Sequence, residues 1–247
     1  MKPTAERPAM PYAPLEEHFL QASKLFGGRK LWLLPPPVEA SSLVIFLDAE
    51  VYMLGVNAPT VVRGVQGAGL LTSMAAAFVS HRSAADRHVD YTCNADYAAF
   101  IAQEVLPSIV DRFPTASHDG VVIAGLSLSG LAAAFISLRF PALFRAAVCQ
   151  SPSFWWENQR FADLIPAAHP PAPKFWVSVG DQETEKDIAH PPSGLLQRST
   201  QIEGCQHVCD ALRSRNYPVE EHRFAGGHDP KCWQTELGNA LGWAWNE

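Results

Sequence analysis

The chain has 247 residues, of which 47% are hydrophobic and 18% charged, with a formal net charge of -6. That length suits one large α/β domain, and the apolar share supports a substantial core and excludes a disordered chain. An acidic chain without a basic run repels phosphate backbones, which argues against a nucleic-acid partner and leaves small anionic ligands open. The five cysteines are odd in number and irregularly spaced, which fits a reducing cytoplasm better than a disulfide framework.

The stretch MKPTAERPAMPYAPLEEHF is broken by prolines at 3, 8, 11 and 14 and has no apolar core. It reads as neither a secretion signal nor a membrane span. Residues 1–27 are expected to be a surface arm, and 28–247 one α/β domain. LWLL (31–34) and SLVIFLD (42–48) predict strands, the second apolar enough for burial on both faces. TVVRGVQGAGLLT reads as a helix ahead of a strand at SMAAAFVSH. From 95 to 113, the spacing of Tyr97, Phe100, Ile101, Val105, Leu106, Ile109 and Val110 predicts an amphipathic helix. Asn94 is its expected N-cap, and Pro107 is expected to kink or divide it.

DGVVIAG (119–125) predicts a strand, and LSGLAAAFISLRF a helix stopped by Pro141. AAVCQS and KFWVSVG read as buried strands, 198–215 as a helix, PVEEHRF as a strand and 231–245 as a closing helix. Such alternation argues for a mainly parallel central sheet with helices on both faces.

The densest chemical signal is Gly125-Leu-Ser127-Leu-Ser129-Gly130, where a buried strand runs through small residues into a helix. A serine there sits on a tight strand-to-helix turn that exposes its Oγ, the position of a nucleophile. Ser129 is a rival, but it lies inside the helix, whereas Ser127 stands at the strand end. Ser127 also sets the Leu128 N–H at a helix N-terminus, ready to stabilise an oxyanion. The plain alternative is an ordinary glycine–serine turn.

A serine nucleophile on such a turn needs a histidine after the last strand and an acid between them in the chain. Phe224-Ala-Gly-Gly-His228-Asp229 supplies the histidine, on a loop that two glycines leave free to aim an imidazole. The other eight histidines lack that context. After KFWVSVG come Asp181, Glu183, Glu185 and Asp187, any of which could orient the imidazole. Glu183 is favoured and Asp181 is second; a serine–histidine pair without an acid is a further alternative.

These segments together resemble the enterochelin (enterobactin) esterase family, within the esterase D-like α/β-hydrolases. The likeness covers roughly 43–245 and runs through Leu47-Asp-Ala-Glu50, Arg87-x-x-Asp90-x-x-Cys93-Asn94-Ala-Asp96 and Ala124-Gly-Leu-Ser127-Leu-Ser-Gly130. It continues through Gln150-Ser-Pro-Ser-Phe-Trp155-Trp156, Gly180-x-x-Glu183 and Gly226-Gly-His228-Asp229-x-x-Cys232-Trp233. Ser129 and Ala49 replace family glycines.

The resemblance implies an α/β-hydrolase fold, with 28–247 as a single catalytic domain. It implies Ser127 as nucleophile, His228 as base and Glu183 as acid, with the Glu50 N–H beside that of Leu128 as oxyanion donors. It implies a serine esterase without metal or organic cofactor, acting on a small-molecule ester such as a serine-trilactone catecholate siderophore, free or ferric.

Arg87 is expected to offer a fork to substrate or else to pair with Asp90. One of Trp155 and Trp156 is expected to stack on a planar acyl group, the alternative being core packing. Cys93 and Cys232 could lie close together. Cys205-x-His207-x-Cys209 invites a zinc reading, but on a helix His207 faces away from the two cysteines. Two other readings stand beside the siderophore one. The first is a general carboxylesterase or an acyl transferase on sugar or thiol esters; the second is a binding protein on a degenerate hydrolase fold. The oligomeric state is not read from the sequence.

Overall fold

In the computed structural model, which describes residues 14–23, 27–118, 120–191 and 193–246, the chain enters the sheet early. Strand β1 (Glu16–Ser23) runs antiparallel to β2 (Gly27–Leu34). Part of the expected arm is therefore a sheet strand. It lies on the sheet edge with Phe19 66% exposed, so it carries no alternation of buried apolar residues that would mark it. Residues 1–13 and 24–26 lie outside the described residues.

β3 (Ser42–Leu47) is buried at every residue. Leu43, Ile45 and Leu47 face one core, Val44 and Phe46 the other. The period of two is present, but both sides are apolar because helices cover both. Helices α1 (Ala49–Leu54) and α2 (Ala58–Gly67) lead to β4 (Met74–Val79). Helix α3 (Ala84–Tyr91) follows, capped by Ser83, and α4 (Ala95–Phe100) is capped by Asn94, which accepts from the Asp96 and Tyr97 N–H groups.

The helix expected over 95–113 divides. A π-helical turn at Ile101–Val105 joins α4 to α5 (Leu106–Arg112). Pro107 has no N–H to give and its ring crowds the carbonyl four residues back, and a wider turn accommodates both.

Next come β5 (Val121–Leu126), α6 (Leu128–Arg139), β6 (Phe144–Gln150) and the short segment α7 (Trp156–Gln159). β7 (Lys174–Gly180) is followed by a small hairpin, β8 (Ile188–His190) and β9 (Leu195–Gln197), that the sequence did not disclose. Helix α8 (Gln201–Ser214) starts later than the expected 198, because Thr200 and Glu203 form a reciprocal capping box. β10 (Val219–Phe224) and α9 (Pro230–Trp245) close the domain.

The large sheet has the order β1-β2-β4-β3-β5-β6-β7-β10, parallel from β4 to β10. One face packs on α3–α6 and α8, the other on α1, α2 and α9. The carboxyl ends of β3, β5, β6, β7 and β10 therefore share one edge, where ligands gather in such sheets.

Candidate active site

Ser127 joins β5 to α6 with φ 52° and ψ −123°, a backbone conformation that L-residues rarely adopt. Surrounding bonds hold it there. Its N–H donates to the Gln150 carbonyl at 2.9 Å, and its carbonyl accepts from the Ser153 N–H at 2.9 Å and the Gly130 N–H at 3.1 Å. The turn is so tight that a Cβ on Gly125 would lie 2.0 Å from the Ser129 carbonyl oxygen. Ser129 is fully buried, and its Oγ accepts from the Leu126 N–H at 2.9 Å and donates to the Leu126 carbonyl at 2.8 Å. The hydroxyl at this departure from glycine is a latch on the strand end. Ser127 alone of the two serines lines a cavity.

That cavity, of about 430 Å³, is bounded by Ser127, His228, Glu183, Trp155 and the hairpin residues Ile188 and His190. Glu183 and His228 meet across the ends of β7 and β10, with His228 Nδ1 2.6 Å from Glu183 Oε2. The Glu183 side chain is 3% exposed and that of His228 42%. A carboxylate only accepts, so Nδ1 is the donor in this contact and Nε2 is the ring nitrogen it leaves unengaged.

Asp181, the second-choice acid, accepts from the Gly226 N–H at 2.9 Å and so fastens the histidine loop to the β7 turn. The backbone adds Asp181 N–H to the Phe224 carbonyl and Gln182 N–H to the Gly226 carbonyl, each 2.9 Å. The loop comes so close that a Cβ on Gly180 would sit 2.3 Å from the Gly226 carbonyl oxygen. Glu185 and Asp187 are exposed.

On the other side of Ser127, β3 pairs with β5 with Phe46 opposite Ala124, which brings the Ala49–Glu50 turn level with Ser127. Leu128 and Glu50 both lie in the first turn of a helix, where N–H groups have no acceptor within the helix. Asp48, left-handed at φ 65° and wholly buried, governs this turn. Its carboxylate meets His81 Nδ1 at 3.0 Å and Arg87 Nη2 at 2.5 Å, and Glu50 Oε2 lies 3.0 Å from the same His81 nitrogen. Burial opposes the Asp48 charge, but the bond from His81 and the Arg87 guanidinium outweigh it and hold the carboxyl below its ordinary value. Bonds to Asp48 and Glu50 push His81 up from 6.5 to about 9, so it is an imidazolium at neutral pH.

Asp48, Glu50 and His81 bring three potential metal ligands within 4.8 Å of one another. Arg87 and protonated His81 already neutralise those carboxylates. The zinc reading of Cys205, His207 and Cys209 meets the geometry expected of a helix: both cysteines are buried in the core and His207 is exposed. Cys93 and Cys232 are free thiols.

Among the described residues the cavity wall includes Trp155 but neither Arg87 nor Trp156. Arg87 is tied to Asp48, with its guanidinium 5.5 Å from the Tyr91 ring centre, and Trp156 packs in the core. The Arg87–Asp90 pair is not formed either, because Asp90 meets the buried Arg29 at 2.8 Å. Trp155 is stacked on His190, ring centres 4.8 Å apart and planes 8° from parallel. Sequence reasoning missed His190, Gln201 and Ser151. Gln201 Nε2 donates to the Pro152 carbonyl at 2.7 Å and holds the Ser-Pro-Ser turn. Its lone polar place on the buried side of α8 was the available signal.

An antiparallel entry into a parallel sheet, a serine elbow after β5, a carboxylate after β7 and a histidine after β10 define an α/β-hydrolase. The chain belongs to the Esterase family, whose model matches residues 71–244. It is 24% identical over 255 residues to the iron(III) enterobactin esterase of Escherichia coli (strain K12), covering 98% of this chain and 60% of that protein. A siderophore triacetylfusarinine C esterase of Aspergillus fumigatus is 31% identical over 100 residues, 38% of this chain and 32% of that one. The chain thus spans about three-fifths of the length of the curated enterobactin esterases it matches.

Among solved structures, the enterochelin esterase of Shigella flexneri superposes with a TM-score of 0.81 at 22% identity, covering 95% of this chain and 59% of that one. A siderophore hydrolase of Aspergillus nidulans gives 0.72 at 17% identity, covering 98% and 97%. At such identities these likenesses speak to the fold. Among the described residues no helix is long and apolar enough to cross a membrane.

Proposed function

We propose that this chain is a serine esterase that cleaves carboxylic esters through an acyl-enzyme, with Ser127 as nucleophile, His228 as general base and Glu183 as the acid that orients it. The observation that carries the proposal is the 2.6 Å contact of buried Glu183 with His228 Nδ1, in the cavity that the strained Ser127 lines. His228 Nε2 takes the Ser127 Oγ proton as Oγ attacks the ester carbonyl, and the Leu128 and Glu50 N–H groups receive the oxyanion. Collapse expels the alcohol, which takes the proton from His228. Water, deprotonated by the same nitrogen, then releases the acid and restores Ser127. Positioned base catalysis supplies about 10²–10⁴-fold and each oxyanion donor about 10²–10³-fold.

The substrate class we infer is a catecholate siderophore lactone or its linear fragments, free or ferric. Support for the catecholate class comes from relatives described as iron(III) enterobactin esterases, and a relative described as a siderophore triacetylfusarinine C esterase supports the wider siderophore class. A cytoplasmic setting is supported by five unpaired cysteines.

A second reading, a general esterase or acyl transferase for smaller acyl groups, has its own support. His190 covers one face of Trp155, so an aryl group stacking on that face has to displace it. Hydrolysis of p-nitrophenyl acetate is expected to fall at least about 10³-fold in Ser127→Ala. Equal rates in the two proteins would overturn the mechanism. A panel of iron-free and ferric enterobactin with simple acyl, sugar and thiol esters decides between the substrates.

A further inference from the structure

The carboxylate of Glu183 receives more than the histidine. Its Oε1 accepts from the Ser151 hydroxyl at 2.6 Å and from the Gly180 N–H at 2.8 Å, while Oε2 faces His228. The Gly180 bond belongs to the same turn as Glu183. Ser151 comes from another strand, as the first residue beyond β6, with a left-handed φ of 41° and no exposure. Its N–H is fixed to the Ser178 carbonyl at 2.7 Å. The backbone thus adopts an unfavourable conformation that delivers this hydroxyl to the carboxylate.

The direction of the hydroxyl is also set. The indole N–H of Trp233, which can only donate, reaches Ser151 Oγ at 2.9 Å. It occupies a lone pair of that oxygen and leaves its proton to Glu183, a charge-assisted bond to an ionised acceptor. The same indole stands edge-on to the His228 ring, centres 4.8 Å apart and planes at 88°. Trp233 is in turn anchored through its carbonyl, which accepts from Gln150 Nε2 at 2.9 Å. One side chain thus touches the histidine directly and reaches its carboxylate through a serine.

We infer that Ser151 and Trp233 are positioning residues: Ser151 donates to Glu183, Trp233 donates to Ser151 and buttresses His228, and together they aim the Nε2 lone pair at Ser127. This rests on Glu183 and His228 serving Ser127 as proposed above. Donation to the carboxylate also disperses its charge, which lessens its pull on an imidazolium. Loss of the hydroxyl therefore favours protonated His228, and the ascending limb of the pH profile moves to higher pH.

The test uses the full chain and p-nitrophenyl acetate, with kcat and KM measured from pH 5 to 9 for wild type, Ser151→Ala, Trp233→Phe and the double variant. Ser151→Ala is expected to lower kcat by roughly tenfold or more with KM within about twofold. The acid limb of kcat/KM is expected to move to higher pH. Trp233→Phe keeps an aromatic ring but loses the N–H and part of the indole, and is expected to show the same signature, smaller; the double variant is expected to be little worse than Ser151→Ala alone.

Unmoved acid limbs and additive losses in folded protein, judged by circular dichroism, would overturn the inference and leave both residues as core packing. If Ser151→Ala does not fold, the Trp233→Phe limb decides by itself. A wild type inactive on every ester would remove the esterase proposal and this inference together. An active wild type whose variants keep its pH profile would remove only this one.

Discussion

The two flanks of Ser127 are fastened by different physics. On the β7–β10 side, Asp181, Glu183, Gly226 and His228 are laced by backbone amides, carbonyls and short side-chain bonds. On the β3–β4 side, the turn that presents Glu50 is fastened by charge: one buried aspartate between an arginine and a protonated histidine. The amide–carbonyl bonds of the first flank are local, directional and insensitive to pH. A charge cluster is strong while complete and costly when one member is lost, because the remaining charges are left partly buried.

The largest effect should come from breaking the charged flank. Asp48→Ala leaves Arg87 and His81 facing each other without their shared counter-ion. A loss of about 3 kcal/mol in unfolding free energy is expected by denaturant titration, with much of it recovered when Arg87 is also replaced by alanine. A simple sum of the two single losses would show that no such charge coupling exists.

The next effect needs no mutation of the carboxylates. The folded pKa of His81, about 9, lies above its ordinary 6.5, so its contribution to stability is fully present below about 6.5 and is lost as pH rises through about 9. Thermal melts between pH 7 and pH 10 should show this alkaline decline, and His81→Gln should flatten it. A decline that persists unchanged in the variant would assign it to another group.

The smallest effect belongs to the laced flank. Asp181→Asn keeps an oxygen for the Gly226 N–H, so stability is expected to change by under about 0.5 kcal/mol, with ester turnover nearly unaltered. A collapse of activity in this variant would mean that the carboxylate charge of Asp181 matters, and the comparison of flanks would fail.

How much of this was legible follows from the range of each interaction. The elbow was readable because its demands are local: Gly125 must lack a side chain so that the Ser129 carbonyl can approach, and both residues lie beside Ser127 in the chain. The glycine loop before His228 was readable for the same reason. Glu183 was favoured over Asp181 and the family resemblance agreed, but the sequence left four carboxylates open, since they look alike until β10 arrives beside β7. Arg87 misled because its partner, Asp48, lies 39 residues away and is set by the pairing of β3 with β4. Strand β1 and the β8–β9 hairpin escaped because neither is deeply buried, so apolar alternation, the main signal for strands, is weak in both.

The hairpin has one more consequence. It leaves the sheet after Glu183 and returns at the cap of α8, so its residues lie outside the β7–β10 lacing that joins acid to histidine. His190 is its reach into the cavity, laid flat on Trp155. The segment is thus a replaceable cassette: lengthening, shortening or recolouring it alters the room beside Trp155 while Ser127, Glu183 and His228 keep their own supports. Under the esterase proposal, substrate choice can therefore change there without disturbing the Glu183–His228 contact.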